Sequence, residues 1–338
     1  MTQPLSELDL SLIHALQIRP RAPWQELARV LNSSPATLAR HWERVRADGL
    51  SWVTAYPTRR LHSHRLVAFV EVRCALPKVS VLCGQLARFA EVASIEQAVG
   101  NHTLLLTILV DDLGALSRLV LDEFPQLDGI ESTTSHVVSQ THLDGSYWRL
   151  GALTPTQVQA VSALPGVASP SRSTVMTERQ RPIASLLATD GRMTAASIAA
   201  ALDRPERTVR RELDHLLRQG TMTFRCEIAQ SATPTPIWVN WWCRVAMADV
   251  GRVVRQLRLL PQLRMCSSLT GPANLIIGTW NESLQQARAT HEWLERELAP
   301  IEVIDSSVTL RCIKRMGWLL DPNGRATGEV IPTLPALS

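Results

Sequence analysis

An internal repeat constrains this chain more than any other feature of its sequence. Sliding the sequence along itself gives one constant offset, which pairs Leu16 with Leu187 and Gly100 with Gly271. The same ungapped register also pairs Ala28/Ala199, Thr37/Thr208, Arg40/Arg211, Gly49/Gly220, Arg73/Arg244, Ile130/Ile301 and Val137/Val308. Chance identities would not keep one register over such a span, and repeats of this kind define structural units. The chain is therefore a tandem duplication.

The residue pattern of each copy predicts that it folds in two parts. A helical segment comes first, and a strand–helix–strand–strand–helix–strand pattern follows, which is typical of the ferredoxin-like split βαβ unit. The predicted fold class is α+β: two tandem modules, each a winged helix-turn-helix followed by a ferredoxin-like βαββαβ domain. The predicted boundaries are 1–58 and 59–144 for the first module, 145–175 for a linker, 176–230 and 231–320 for the second module, and 321–338 for a disordered tail.

Composition and charge indicate a globular protein of several small domains. The 338 residues are 45% hydrophobic and 20% charged, which suits two to four packed domains. No apolar run is long enough to span a bilayer. Glu7 and Asp9 make the first segment unlike a signal peptide, so we expect a cytoplasmic protein. The net charge of +4 permits nucleic-acid binding without requiring it.

The six cysteines show neither C-x-x-C pairing nor zinc-like spacing. They fall mostly within apolar stretches, where a free cysteine behaves as a small hydrophobic residue. We therefore expect them in the core, and we expect no metal site and no cofactor.

The third predicted helix of each module has a basic outer face opposite a buried stripe. The predicted stripe is Leu38, Trp42 and Val45 in the first module and Val209, Leu213 and Leu216 in the second. In the first module Ser34 precedes Pro35 as a cap before the first helical position. A basic outer face on the last of three helices is typical of a helix that enters the major groove. The alternative is a plain three-helix bundle with a solvated face, and the occurrence of the same face twice favours DNA. The candidate DNA contacts are Ser34, Thr37, Arg40, Arg44, Arg207, Thr208, Arg211 and His215.

Two strands with period-two alternation open the sheet regions, LVAFVEVRC and IWVNWWCRVAM. One face of these strands carries Phe69 in the first module and Trp238 with Trp242 in the second. Such apolar faces are not stable in contact with water. We therefore expect the two sheets to pair face to face within one chain as a pseudo-dimer.

A helix-turn-helix followed by this small fold, with a glycine between its second and third strands, resembles the leucine-responsive regulator/AsnC family. The likeness spans about 6–140 and 177–312, and its most specific segments are ELARVLNSSPATLARHWERVRADGL and AVGNHTLLL. The resemblance implies a transcriptional regulator that binds double-stranded DNA and a small-molecule effector, an amino acid or related metabolite. It also implies a homo-oligomer, here with an intrachain pseudo-dimer, and no membrane partner.

The strand-junction glycines are the candidate effector site that this resemblance suggests. The candidate effector contacts are Gly100, Asn101, His102, Thr103, Gly271 and Asn274. A glycine lets a ligand approach the backbone closely, although it also serves tight turns. In the family acidic residues commonly follow this glycine, and neither loop has one. We therefore expect a ligand site in the first module, a structural loop in the second, and a ligand other than a zwitterionic amino acid held by a carboxylate.

An enzyme is the alternative hypothesis, because some decarboxylases of haem-precursor synthesis resemble the same architecture. Such a site needs histidine or arginine converging on an acidic porphyrin in a sheet-lined cleft. His102, His136 and His142 lie near the first sheet, but Ala273 replaces His102 in the second copy. Motifs for serine triads and phosphate-binding loops are absent. The sequence favours a regulator without catalytic residues.

Overall fold

The computed structural model describes residues 4–58, 66–164, 176–298 and 300–333. The first module begins with helices α1 (Glu7–Ile18), α2 (Trp24–Val30) and α3 (Pro35–Ala47). Ser6 and Asp9 form a reciprocal capping box that starts α1. Ser34 caps α3 with Pro35 at its first position, as predicted. The buried side of α3 is the predicted stripe of Leu38, Trp42 and Val45.

The sheet domain of the first module follows in the predicted order. Strand β1 (Ser51–Pro57) precedes this domain. The elements of the domain are β2 (Leu66–Cys74), α4 (Val79–Leu86), β3 (Val92–Val99), β4 (Leu104–Val110), α5 (Leu113–Ser117, extended by π and 3-10 turns to Gln126) and β5 (Ile130–Leu143). The strands lie in the order β3-β4-β2-β5, which is the ferredoxin-like arrangement. Alternate residues of β2, such as Val70 and Val72, pack with Leu82 and Leu86 of α4 in one core.

The segment predicted as a linker is largely packed. Helix α6 (Pro155–Ala163) starts at a capping box formed by Thr154 and Gln157. Trp148, Leu153 and Val161 are buried in the same core as α1 and α2. The prediction of a linker is therefore wrong for residues 145–164, because their apolar side chains cover the first three-helix domain. The remainder of the predicted linker, 165–175, lies outside the described residues.

The second module repeats the architecture and then extends it. Its elements are α7 (Arg181–Thr189), α8 (Ala195–Leu202), α9 (Glu206–Gln219), β6 (Met222–Ile228), β7 (Ile237–Val245), α10 (Val250–Leu257), β8 (Leu263–Leu269), β9 (Leu275–Asn281), α11 (Leu284–Glu297), β10 (Ile301–Arg315), β11 (Trp318–Leu320) and β12 (Ala326–Val330). Along α9, the predicted stripe of Val209, Leu213 and Leu216 is buried.

The predicted disorder of the tail is wrong for residues 321–333. Strand β12 pairs with β11, and the Ala326 amide donates to the Gly49 carbonyl oxygen at 2.9 Å. Trp318 packs beside Trp52 of the first module with ring centroids 5.7 Å apart. The tail is ordered because it covers this aromatic pair. Residues 334–338 lie outside the described residues.

The two sheets close into one barrel. Strand β5 pairs with β8, and β10 pairs with both β7 and β3, so each module completes the edges of the other. Phe69 and Trp242 lie in a single core between the sheets. The face-to-face pseudo-dimer expected from the apolar strand faces is present within one chain.

A two-stranded ribbon joins the helical domains above the barrel. The strands predicted as wings are present, but β1 pairs with β6 over their full length, so each finds its partner in the other module. The six cysteines are buried and unbridged, as expected. Within the described residues, no helix combines the length and apolar character needed to cross a membrane.

Candidate DNA interface and ligand sites

Helix α3 presents a short polar face at its start. The Ser34 hydroxyl accepts a hydrogen bond from the Thr37 amide at 3.0 Å and contacts the Thr37 hydroxyl at 2.8 Å. Arg40, one turn further along, is exposed. A capped helix start with exposed hydroxyl and guanidinium groups is suited to phosphate and base-edge contacts.

Arg44 differs from the other candidate DNA contacts because it binds within the domain. Its Nη2 donates to Asp9 Oδ2, and His41 Nδ1 lies 2.8 Å from Asp9 Oδ1. Burial raises the pKa of the Asp9 carboxyl, but hydrogen bonds from Ser6, His41 and Arg44 outweigh it and lower the pKa below its ordinary value. Arg44 therefore fixes α3 against α1, which makes it a positioning residue rather than a free DNA contact.

Helix α9 has the more basic outer face. Arg207, Arg211 and His215 recur every fourth residue and are exposed, so they form one stripe along the helix. Arg218 extends that stripe and lines a surface groove with Arg211 and His215. The sequence analysis missed Arg218, although its helical spacing from Arg211 could have revealed it. Thr208 is half-buried beside the stripe.

The two junction loops lie against the opposite module. A Cβ added at Gly100, whose φ is +146°, would be 3.5 Å from the Ser306 carbonyl oxygen; one added at Gly271, φ +117°, would be 3.3 Å from His136 Nδ1. The positive φ of both residues, which side chains rarely tolerate, explains why both copies have glycine here.

The polar side chains of these loops already have partners. Asn101 donates to Asp305 at 3.0 Å, and the Thr103 hydroxyl accepts from the Cys74 amide at 3.4 Å. Asn274 bonds both the amide and the carbonyl group of Val245. Asn274 thus extends the pairing of β7 with β9 by one residue.

His102 points inward and belongs to a buried cluster at the module interface. Its Nδ1 lies 3.6 Å from Glu71, and His136 Nε2 lies 3.4 Å from the same carboxylate. Burial raises the pKa of Glu71, but the two imidazoles overcome this and lower it to about 2. The Trp242 ring packs 4.7 Å from His136. Within the described residues, no group of histidines, cysteines and carboxylates has the geometry of a metal site.

A cavity of about 360 Å³ between the ribbon and the barrel was not predicted. Three buried arginines from the second module form one wall, Arg225, Arg264 and Arg315. Glu227 lies behind them, with its Oε2 2.7 Å from Arg264 Nη2. Burial raises the pKa of Glu227, but the three guanidinium charges lower it to about 2. The sequence does contain one signal for this cavity, which is charged residues within otherwise apolar strands. It could not show that these residues meet, because that depends on how the strands pair.

Comparisons with known proteins agree with this architecture. The first module matches the family model of the AsnC-type helix-turn-helix domain over residues 5–46 and that of the Lrp/AsnC ligand-binding domain over 67–148. An uncharacterized HTH-type transcriptional regulator of Pyrococcus horikoshii is 27% identical over 136 residues, which are 40% of this chain and 86% of that protein. Another HTH-type transcriptional regulator from the same organism is 24% identical over 143 residues, 42% of this chain and 94% of the relative.

The arrangement of two modules on one chain also occurs among solved structures. One of them is the crystal structure of the siroheme decarboxylase NirDL in complex with an iron-uroporphyrin III analogue. The match spans 92% of this chain and 93% of the NirDL chain, with a TM-score of 0.58 and 15% sequence identity. At that identity the match demonstrates a shared fold. Because the match includes both modules, the shared fold is that of the whole duplicated chain.

The two family models describe a DNA-binding helix-turn-helix joined to a ligand-binding domain, as in the Lrp/AsnC transcriptional regulators. The resemblance found in the sequence is confirmed for the first module, and the fold repeats that module a second time.

Proposed function

We propose that the chain is a sequence-specific transcriptional regulator whose α3 and α9 read the two halves of one DNA site, under the control of a small-molecule effector. The observation that carries this proposal is the pairing of two helix-turn-helix domains through the β1–β6 ribbon. Paired readers of this kind bind half-sites whose separation matches that of their recognition helices. The fused modules hold that separation within one molecule.

Selection from random duplex DNA, followed by titration of the recovered sequence, tests this proposal. Arg40→Ala and Arg211→Ala should each weaken specific binding by about 1–3 kcal/mol. Affinity should also fall steeply with salt through counterion release. Arg288→Ala is the matched control, because Arg288 is an 81% exposed arginine on the outer helix α11. Failure to recover any sequence, or binding indifferent to both substitutions and to salt, would refute the proposal.

We also propose the junction loop of the first module as an effector contact. A ligand there would approach the backbone at Gly100 and take over the hydrogen-bonding groups of Asn101, His102 and Thr103, which contact other protein groups in the structure. Calorimetric titration with a metabolite panel, repeated on His102→Ala and Thr103→Ala, tests this contact. Binding that survives both changes but is lost on Asn274→Ala would place the contact in the second module instead.

Higher assembly is proposed through the outer helix layers. Leu76 and Met247 occupy equivalent positions in the two modules and are 78% and 73% exposed, and Leu113 and Leu284 are each 63% exposed. Large apolar side chains kept exposed at equivalent positions favour a contact between copies of the chain. Light scattering should give a mass above that of one chain, reduced by Leu76→Glu with Met247→Glu. A single-chain mass for the wild type would contradict this assembly.

A haem-precursor decarboxylase is the second candidate function, favoured by the arginine wall of the cavity and the whole-chain fold match. The regulator is preferred because the family models and the relatives named above are regulators. At about 360 Å³ the cavity is near the lower limit of ligand pockets, which is tight for a four-ring macrocycle. Absorbance titration with an iron-uroporphyrin, with mass analysis for loss of carbon dioxide, distinguishes the two. Turnover would establish the enzyme.

A further inference from the structure

We infer that the cavity between the β1–β6 ribbon and the barrel binds a small carboxylate with an aromatic-sized apolar body, at a site separate from the junction loops. The inference that this ligand controls DNA binding rests on the proposed function. The binding site itself does not, because it follows from the chemistry of the cavity wall.

The cavity wall is rich in hydrogen-bond donors. Arg264 donates from Nη2 to Glu227 at 2.7 Å, and its guanidinium lies 4.3 Å from the centre of the Trp280 ring. Arg315 donates from Nη1 to the Ile228 carbonyl oxygen at 3.2 Å. Each guanidinium carries five N–H donors in a planar fork, more than these contacts use. A carboxylate matches such a fork with paired, charge-assisted hydrogen bonds.

The protein carboxylates near the cavity are already engaged. Glu227 is fully buried behind the arginines. Glu96 Oε2 accepts from the Trp238 indole, the Asn240 amide and the Thr309 hydroxyl at 2.9–3.1 Å. Asp144 accepts from the amide of Ser146 at 2.9 Å. Three guanidinium groups and three carboxylates therefore come close to charge balance, and it is the planar arrangement of N–H donors in the arginine wall that would select a carboxylate on the ligand.

The rest of the lining is suited to an apolar body. Val67, Phe69, Leu109, Trp238 and Met265 face the cavity from both sheets. A volume of about 360 Å³ lies at the small end of the range for ligand pockets. One ring with a short chain fits such a space. The carboxylate would face the arginine wall and the ring would lie between the sheets.

The position of the cavity couples it to both DNA-reading domains. Tyr56 and Thr58 at the end of β1, and Thr223 and Arg225 of β6, line it from the ribbon side. The Thr58 amide donates to the carbonyl oxygen of Thr221, directly after α9. A ligand that displaces these ribbon residues would change the relative placement of α3 and α9. Such coupling requires that the ligand binds more tightly to one relative placement of α3 and α9 than to the other.

The binding test uses three probes with one apolar body: 3-phenylpropionate, 3-phenylpropan-1-ol and 3-phenylpropylamine, each titrated into the full chain by calorimetry. The acid should bind at least about tenfold more tightly than the alcohol or the amine. Thr107→Trp should abolish binding by filling the cavity, since Thr107 lines it from β4 without belonging to the arginine wall. Arg288→Lys, at an 81% exposed arginine of the outer helix α11, is the matched control and should bind like the wild type.

Arg264→Lys is the second variant, for use if Thr107→Trp does not fold. It keeps the positive charge but loses the planar fork, and it should bind the acid about tenfold more weakly. Equal binding of the three probes, full binding by folded Thr107→Trp, or loss of binding in Arg288→Lys would overturn the inferred site.

Anisotropy of labelled operator DNA separates this inference from the proposed function. Saturating 3-phenylpropionate should change DNA affinity about fivefold or more. If DNA binds but none of the probes binds, the inferred site is wrong and the regulator stands. If the acid binds but no DNA sequence does, the site stands and the regulator is wrong. If both bind without affecting each other, the inferred control is wrong.

Discussion

Arg21 and Arg192 occupy equivalent positions in the two modules, and each donates hydrogen bonds to the loop that carries the other. Arg192 bonds the carbonyl oxygens of Pro20 and Ala22 at 2.6 and 2.9 Å, and Arg21 bonds those of residues 191 and 193. Such reciprocity is the signature of a two-fold interface. Here it joins two non-identical domains of one chain.

Arg192→Ala should loosen the contact between the two helix-turn-helix domains. Losing two hydrogen bonds to partly buried carbonyl groups should lower the free energy of unfolding by about 1–3 kcal/mol. Operator affinity should also fall, because the spacing of the recognition helices is no longer fixed. Denaturant unfolding and DNA titration measure the two effects. Arg29→Ala is the control, since Arg29 is 75% exposed and pairs only locally with Glu26; an equal response of the two variants would contradict the prediction.

Arg44→Ala should act mainly on stability. It leaves the fully buried Asp9 carboxylate without its guanidinium partner, which should cost about 1–3 kcal/mol of unfolding free energy. A double-mutant cycle with Asp9→Asn should recover part of that cost, because the amide carries no charge to compensate. Chemical denaturation of the four proteins gives the coupling free energy. Additive effects would contradict the predicted coupling between Arg44 and Asp9.

Stability should fall as the pH is lowered from about 6.5 to 4, partly through His14. Burial, with a smaller effect of Arg149, lowers the pKa of its imidazole to about 4, and Nδ1 must stay unprotonated to accept from the Leu153 amide at 3.0 Å. The unfolded chain therefore binds more protons in this window, and up to about 3 kcal/mol is lost on acidification. His14→Gln should flatten this part of the pH profile of unfolding. An unchanged profile would mean that His14 does not titrate in this way.

Trp242→Glu should disrupt the closed barrel. Trp242 is 2% exposed and packs beside His136 between the sheets, so the substitution removes a large apolar side chain and buries a charge. We expect a loss of at least about 3 kcal/mol or an expanded chain. Leu310→Glu, at a 60% exposed position on β10, is the control and should behave like the wild type. Sedimentation with thermal unfolding is the measurement, and unaltered size and stability would contradict the predicted interface.

The local elements were predictable because their signals lie within a few residues of each other. Ser34 with Pro35, for example, marked a helix start that the structure confirms. The period-two faces of β2 and β7 indicated which side of each sheet is covered. The repeat then extended every assignment from one module to the other.

Relationships between distant strands could not be predicted in this way. Alternation in β1 shows which residues share a face, but it does not name β6 as the partner. The arginine wall has the same origin: Arg225 and Arg264 lie on different strands and meet only through the fold around Glu227. The tail was judged by its composition, which carries no information about the surface of Trp318 that it covers.

Because β5–β8 and β3–β10 pairing closes the barrel inside a single polypeptide, the two DNA readers cannot separate on dilution. A regulator assembled from two chains loses its paired form at low concentration by mass action, whereas here the second reader is always present at the effective concentration set by its tether. Each half can also acquire substitutions that the other does not share. Under the proposed function, the duplicated chain would thereby be freed from palindromic operators and could specify two unlike half-sites in a fixed orientation.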